Sequence, residues 1–348
     1  MSFAWISDDG VRVIAIVGIC KNAGKTSLLN HLLRACSDKN AYGDVFESKI
    51  RFGVFSTGID GEERDSVFNT AKPAVKLPAN TLFCCDAMAL DSLGGEVEIL
   101  ASLSNPQRPL WIARSLYRLD TMITGPASVV DQIELSRQML ALGAGKILVD
   151  GSLDRKSIAL SPDVDAVVLV LGASYGNPAK LETELKRLLR LAALPVFDTG
   201  PDEYKLLLGS DELLTSDGRT WQSTSLQTLS GKESELDKML RNNLSSSRLY
   251  IPGAVTNSSL DALLSLLPKR PYTLVLRHPD CLKLDISSLQ RLAERVELTT
   301  LIPFRLKGFA INSEGVGLAS EDAARFRSRL RTSFPQLDLI DIMELTHA

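Results

Sequence analysis

The chain is 348 residues long, 45% hydrophobic and 23% charged, a composition close to that of folded globular chains and too long for one ordinary domain of about 100–150 residues. That excludes a peptide ligand and a broadly disordered chain. The 39 Lys and Arg against 42 Asp and Glu leave a net charge of −3, which argues against a dedicated nucleic-acid binder with its basic excess. Apolar runs such as Val13–Val17 and Val167–Leu171 fall far short of the roughly 20 residues that span a bilayer. The N-terminal stretch carries Asp8 and Asp9 and lacks the pattern of a secretory signal. Cys20, Cys36, Cys84, Cys85 and Cys281 are odd in number and form no Cys-x-x-Cys pair, so they read as thiols of a reducing compartment. The expectation is a cytoplasmic protein without a membrane partner.

In chain order, Arg12–Val17 is an apolar, β-branched run ending at Gly18, suited to the centre of a parallel sheet. Leu28, Leu29, Leu32 and Leu33 recur at helical spacing and predict a helix over 25–36. An extended run over 52–57 leads into the acidic loop 58–65. Leu82–Phe83 place Cys84 and Cys85 in a core strand. Val129, Ile133, Ser136 and Leu140 mark one side of a helix that Gly143 and Gly145 stop. Lys146–Gly151 and Asp165–Gly172 read as buried strands, the second followed by a helix over 180–191. Alternation of strands and helices predicts an α/β fold, a P-loop NTPase-like doubly wound parallel sheet, over residues 1–200.

Beyond Asp198 the texture changes. Glu212–Thr215, the turn Ser216–Arg219 and Thr220–Ser223 predict a hairpin, and the polar residues 229–247 a helix and linker, so 201–247 form a connecting region. Strands near 249–255, 272–277 and 298–302 and helices near 259–267, 287–296 and 321–331 assign 248–348 to a second, smaller α/β region.

The most informative segment is Gly18-Ile19-Cys20-Lys21-Asn22-Ala23-Gly24-Lys25-Thr26. A strand, a glycine-containing loop ending in Gly-Lys-Thr and a helix are the parts of a phosphate-binding loop. Backbone N–H groups surround phosphate oxygens, the lysine neutralises charge and the hydroxyl reaches magnesium. Gly18, Asn22, Ala23, Gly24, Lys25, Thr26 and Ser27 are the candidate nucleotide contacts. One irregularity stands out: five residues separate Gly18 from Gly24 where the usual loop has four, leaving Ile19 at the first glycine position. Lys21 lies four residues before Lys25, not the five of deviant loops, and carries no assignment as an intermolecular finger.

Asp150, at the end of an apolar strand, has the position of a magnesium-holding carboxylate, and with Lys25 it forms the candidate catalytic pair. Thr26 and Asp150 are expected at the metal, with Asp60 of the acidic loop as a further contact. Glu62, Asp65 and residues 154–157 fit either a site or a solvated surface. No Asn-Lys-x-Asp segment is present, which favours ATP over GTP. His31, His278 and His347 lack metal-ligand spacing.

The segments 13–26, Thr57–Glu62, Lys72-Pro73 and Val149–Ser157 together resemble the P-loop subunit of the lysine 5,6-aminomutase reactivase, more faintly so through Ala310–Gly315 and Leu337–Asp341. That resemblance implies an accessory ATPase of amino-acid fermentation, using ATP and Mg²⁺. Its partners would be a MutS-like subunit and an adenosylcobalamin-dependent aminomutase, from which damaged cobalamin is released. Two alternatives stay open: a stand-alone ligase or kinase resembling dethiobiotin synthetase, and a nucleotide-gated metallocentre or cofactor-insertion adaptor.

Overall fold

The structure, a computed structural model, describes residues 3–37, 50–57, 74–103, 108–152, 158–229, 231–232, 234–235, 238, 245–268, 271–314 and 320–346. It divides into two compact units, the first made of Met1–Pro178 and Arg305–Ala348 and the second of Ala179–Phe304.

Unit one begins with strands β1 (Val13–Gly18), β2 (Phe52–Ser56), β3 (Val75–Leu77), β4 (Leu82–Asp86), β5 (Val97–Leu103), β6 (Leu110–Ser115), β7 (Leu119–Thr121), β8 (Lys146–Ser152) and β9 (Ala166–Gly172), and with helices α1 (Lys25–Ser37), α2 (Ala87–Leu93) and α3 (Val129–Ala141). β1 pairs in parallel with β8 on one side and β9 on the other, and every one of its residues is buried. A strand covered on both edges and both faces has no solvent side, which explains its unbroken apolar sequence. Leu28, Leu29, Leu32 and Leu33 are the buried face of α1. At about 1.5–3 kcal/mol for each fully buried aliphatic side chain, this face anchors α1 by roughly 6–12 kcal/mol gross.

α3 is capped by Ser128, whose Oγ accepts from Asp131 N at 3.1 Å, and it ends where Gly143 adopts φ +95°. Its buried stripe is Gln132, Leu135, Ser136 and Met139, one residue off the expected stripe of Val129, Ile133, Ser136 and Leu140. The polar Gln132 disguises it: the residue is buried, with its Nε2 donating to Pro126 O at 2.9 Å and its Oε1 without a partner among the described residues.

The central strands are parallel, but β6 runs antiparallel to both β4 and β5. The expected all-parallel sheet is therefore mixed. The connection from β5 to β6 is too short for a crossover and permits only an antiparallel return. Cys84 and Cys85 lie in β4, fully buried, and burial pushes both thiols up, Cys85 to about 12.

Unit two contains α4 (Pro178–Ala192), α5 (Pro201–Gly209), β10 (Leu214–Ser216), β11 (Trp221–Ser223), β12 (Arg248–Ile251), β13 (Val255–Thr256), α6 (Asn257–Leu266), β14 (Thr273–Leu276), β15 (Leu282–Lys283), α7 (Ile286–Arg295) and β16 (Glu297–Thr300). Its five-stranded sheet has the order β11-β10-β12-β14-β16. The expected hairpin is present as β10 and β11, with Gly218 at φ +96° in the turn. Leu249, Ile251, Leu274, Leu276, Leu289 and Leu292 belong to its core.

After Phe304 the chain returns to unit one as β17 (Leu306–Asn312), α8 (Ser320–Ser333), β18 (Leu339–Asp341) and α9 (Ile342–Thr346). β17 pairs in parallel with β9, and β18 with β17, giving a nine-stranded sheet in the order β18-β17-β9-β1-β8-β2-β4-β6-β5. The units thus cut the chain differently from the expected boundaries at 200 and 248. Residues 305–348 complete the first sheet instead of ending a second domain, because β9 offers β17 a free parallel edge.

Candidate functional site

The parallel strands β1, β8, β9 and β17 finish on one edge of the unit-one sheet. Gly18 lies opposite Ser152 and Val170, and Asn312 opposite Gly172. Ligand sites of open α/β sheets form at this edge, where backbone pairing ends and loops begin.

Residues 19–24 carry the chain from β1 to α1. Ile19 N donates to Val170 O at 3.0 Å, which keeps the loop tied to β9 as it leaves the strand. Asn22 and Gly24 then adopt φ +57° and +98°. Left-handed backbone costs an L-residue about 1–2 kcal/mol, least for asparagine, and the anchoring of α1 outweighs it. A Cβ on Gly18 would stand 3.0 Å from both Ala23 Cβ and Cys20 O, so the loop folds tightly back over the strand end.

Three residues that the sequence did not single out for this loop hold it. A Cβ on Gly172 would fall 2.5 Å from Ala23 Cα, so only glycine lets the loop backbone approach β9 this closely. Ser174 Oγ lies 3.1 Å from both Lys21 O and Asn22 O and 3.3 Å from Cys20 Sγ, sharing its proton between the two carbonyls. Asn312 packs against Gly24, whose Cβ would meet Asn312 Nδ2 at 2.5 Å. The available signals were a glycine, a serine and an asparagine just past predicted strands, too common to assign without their neighbours.

Lys25 and Thr26 open α1, and its first turn contains no acidic residue. The first N–H groups of a helix lack intrahelical partners and present a partial positive charge. Thr26 Oγ1 donates to Asp150 Oδ2 at 3.4 Å, bringing a hydroxyl and a carboxylate expected to share a cation to one place. Gly18, Asn22, Ala23, Gly24, Lys25, Thr26 and Ser27 form one continuous loop and helix start. Asp60 lies outside the described residues, as do Glu62, Asp65 and residues 154–157. Among the described residues, no group of three His, Cys, Asp or Glu side chains is placed to hold a metal.

Asn312 is 9% exposed and its Oδ1 has no hydrogen-bond partner among the described residues; the same is true of Ser313 Oγ, 1% exposed. Behind them Asp341, fully buried, accepts from Met343 N at 3.0 Å and pairs with Arg327 at 3.0 Å. A cavity of about 880 Å³, lined by Arg12, Arg51 and Lys146 among others, opens at the opposite edge, where β1, β2 and β8 begin, and contains none of the loop residues.

Among the described residues no helix is long and apolar enough to cross a membrane. Comparison of the chain with protein families, curated proteins and solved structures gave no match in any of the three.

Proposed function

We propose that the loop 18–27 binds the phosphates of a nucleotide together with Mg²⁺, and that the protein is an ATPase of the P-loop NTPase class. The observation that carries this reading is the 3.4 Å contact between Thr26 Oγ1 and Asp150 Oδ2, at the start of a helix preceded by Gly-Lys. Magnesium takes oxygen ligands at about 2.0–2.1 Å, which sets two adjacent ligands of one ion about 3 Å apart, close to this spacing. The donors are hard oxygens, as that ion requires.

In this reading the Lys25 ammonium neutralises phosphate charge, and the backbone N–H groups at the start of α1 donate to phosphate oxygens. Thr26 and Asp150 hold the cation. When bound, it offsets the charge that develops on the phosphoryl oxygens during transfer. Ser174 and Gly172 keep the loop backbone in register for this task. The test is a Mg²⁺ titration of ATP binding with Asp150→Asn beside the wild type. The wild type gains affinity with Mg²⁺ and the variant gains at least about ten-fold less, a loss worth about 1.4 kcal/mol. Equal Mg²⁺ dependence in the two proteins removes Asp150 from the site.

The resemblance of the segments 13–26 and Val149–Ser157 to the reactivase subunit supports a narrower proposal. Here the ATPase acts with a MutS-like subunit on an adenosylcobalamin-dependent aminomutase, and nucleotide turnover biases the complex toward releasing damaged cobalamin. Restoration of an inactivated aminomutase by the protein, its partner, ATP and fresh adenosylcobalamin tests it. Restoration that does not need ATP, or no restoration, contradicts it.

A further inference from the structure

We propose that the cavity at the edge of the unit-one sheet opposite the loop 18–27 is a second ligand site. It takes a small organic dianion, a phosphate monoester or dicarboxylate with an apolar body, and Arg12 and Arg51 are its contacts. The cavity shares no residue with that loop, so the inference stands apart from the nucleotide reading.

The cavity measures about 880 Å³, within the roughly 300–1,000 Å³ of small-molecule sites. Its wall carries Arg12, Arg51 and Lys146 against one carboxylate, Asp9, which leaves a net of two positive charges. None of the three cations makes an ion pair with a carboxylate among the described residues. Like charges gathered in one concave place repel, and a bound anion relieves that cost.

Each cation is placed in its own way. Lys146 is 6% exposed, and its Nζ donates to Asp8 O and, at 2.6 Å, to Val11 O, which fixes the ammonium at the wall as a standing charge. Burial pushes its pKa down; Asp9, Asp8 and Asp165 oppose the shift and the Arg12 charge adds to it. Asp165 is itself engaged by the backbone, accepting from Arg12 N at 2.8 Å and Val13 N at 2.9 Å. Arg51 is half-buried and braced on two sides. With its amide oxygen turned toward Arg51, Asn80 accepts from Nε at 3.2 Å and from Nη2 at 3.1 Å. On the other side, a Cβ on Gly143 would stand 3.0 Å from Nη1. Asn80 takes two of the five N–H groups of this fork, and the other three have no partner among the described residues. Arg12 is exposed, and its guanidinium likewise has no partner among the described residues. Two accessible forks, one of them held in position before any ligand arrives, are suited to the paired oxygens of a carboxylate or phosphate.

The rest of the wall selects the body of the ligand. Ile50, Phe52 and Pro78 give it apolar surface, which favours an anion with a carbon skeleton over a bare inorganic ion.

The experiment titrates phenyl phosphate, phthalate and inorganic phosphate, at about pH 8 where all are dianions, into full-length Lys25→Ala, with binding read by calorimetry. Lys25→Ala takes the loop 18–27 out of the comparison, so failure of the nucleotide reading leaves this test intact. One-to-one binding of phenyl phosphate or phthalate is expected, and the one that binds identifies the head group. Adding Arg12→Gln or Arg51→Gln is expected to weaken that binding at least about ten-fold, and inorganic phosphate to bind at least about ten-fold more weakly than the organic probe. No saturable binding of either organic probe overturns the proposal, as does binding that neither arginine replacement weakens. Inorganic phosphate bound as tightly as the organic probe overturns the apolar body. Because binding in the Lys25→Ala protein decides by itself, and Arg12 is exposed, the proposal stays open to refutation even if Arg51→Gln does not fold.

Discussion

Replacing Gly172 with alanine drives a methyl group into the backbone of the loop 19–24 from a neighbouring strand. Its φ of −94° and ψ of 138° suit any residue, so the backbone itself tolerates the change and the cost comes from contact alone. The new Cβ would stand 2.5 Å from Ala23 Cα and 2.9 Å from Ser174 Oγ. Carbon atoms rest at about 3.5–4.0 Å, so the loop must retreat by about 1 Å. Forced repacking of this kind costs about 1–3 kcal/mol, and the stiffer unfolded chain returns about 0.4–1 kcal/mol. The expected net loss is about 1–2 kcal/mol, accompanied by at least a ten-fold loss of ATP affinity as the N–H groups leave their positions. Gly10→Ala, in open space within the same unit, is the control and is expected to be neutral or slightly stabilising. Urea unfolding in a Trp221→Phe background, where Trp5 and Trp111 report on unit one, measures the stability, and calorimetry the affinity. A Gly172→Ala protein as stable as Gly10→Ala, with wild-type ATP affinity, refutes the argument that the loop is packed against β9.

Arg327→Met leaves the fully buried Asp341 without its ion-pair partner and should destabilise unit one by about 3 kcal/mol in urea unfolding, with part recovered by adding Asp341→Asn. Arg137→Ala, which breaks the solvent-facing pair with Asp163, should cost under about 1 kcal/mol in the same assay. Burial, and then the Arg34 charge, lower the His31 pKa from 6.5 to about 4. Between these values the unfolded chain takes up a proton that the folded one refuses, so stability is full above pH 6.5 and falls toward pH 4, by about 3 kcal/mol in total. His31→Leu should flatten that slope in unfolding measurements across the range, and parallel profiles for the two proteins contradict the assignment. Ser174→Ala removes the hydroxyl shared by two loop carbonyls and should cost about 0.5–1.5 kcal/mol, read by thermal unfolding, with a matching weakening of ATP binding.

The part of this structure that was legible in the sequence is the part built from near neighbours. β1, the loop and α1 could be read because an apolar run, Gly-Lys-Thr and four leucines at helical spacing occupy 25 consecutive residues or fewer. The hairpin of β10 and β11 announced itself through Asp217-Gly218. What pairing decides over long separations was not legible. No strand was expected at Leu306–Asn312, where Lys307 and Gly308 interrupt the apolar run, and it is the open edge of β9 that draws this segment into the sheet. Gly172, Ser174 and Asn312 meet the loop from about 150 to 290 residues away in sequence, so their roles exist only in the fold. The stripe of α3 lies one position off the expected one because Gln132, polar in composition, is 1% exposed and faces the core, its Nε2 donating to Pro126 O.

The central claim is that Lys25 and its loop hold nucleotide phosphates, and an equilibrium titration of ATP into the wild type and Lys25→Ala with Mg²⁺ present tests it most directly. The loop geometry predicts saturable binding by the wild type and at least a hundred-fold weaker binding by the variant, the loss of about 2.7 kcal/mol of charge-assisted contact. Equal affinity in the two proteins, or no binding by either, contradicts the assignment of the Gly18–Thr26 loop as a phosphate site.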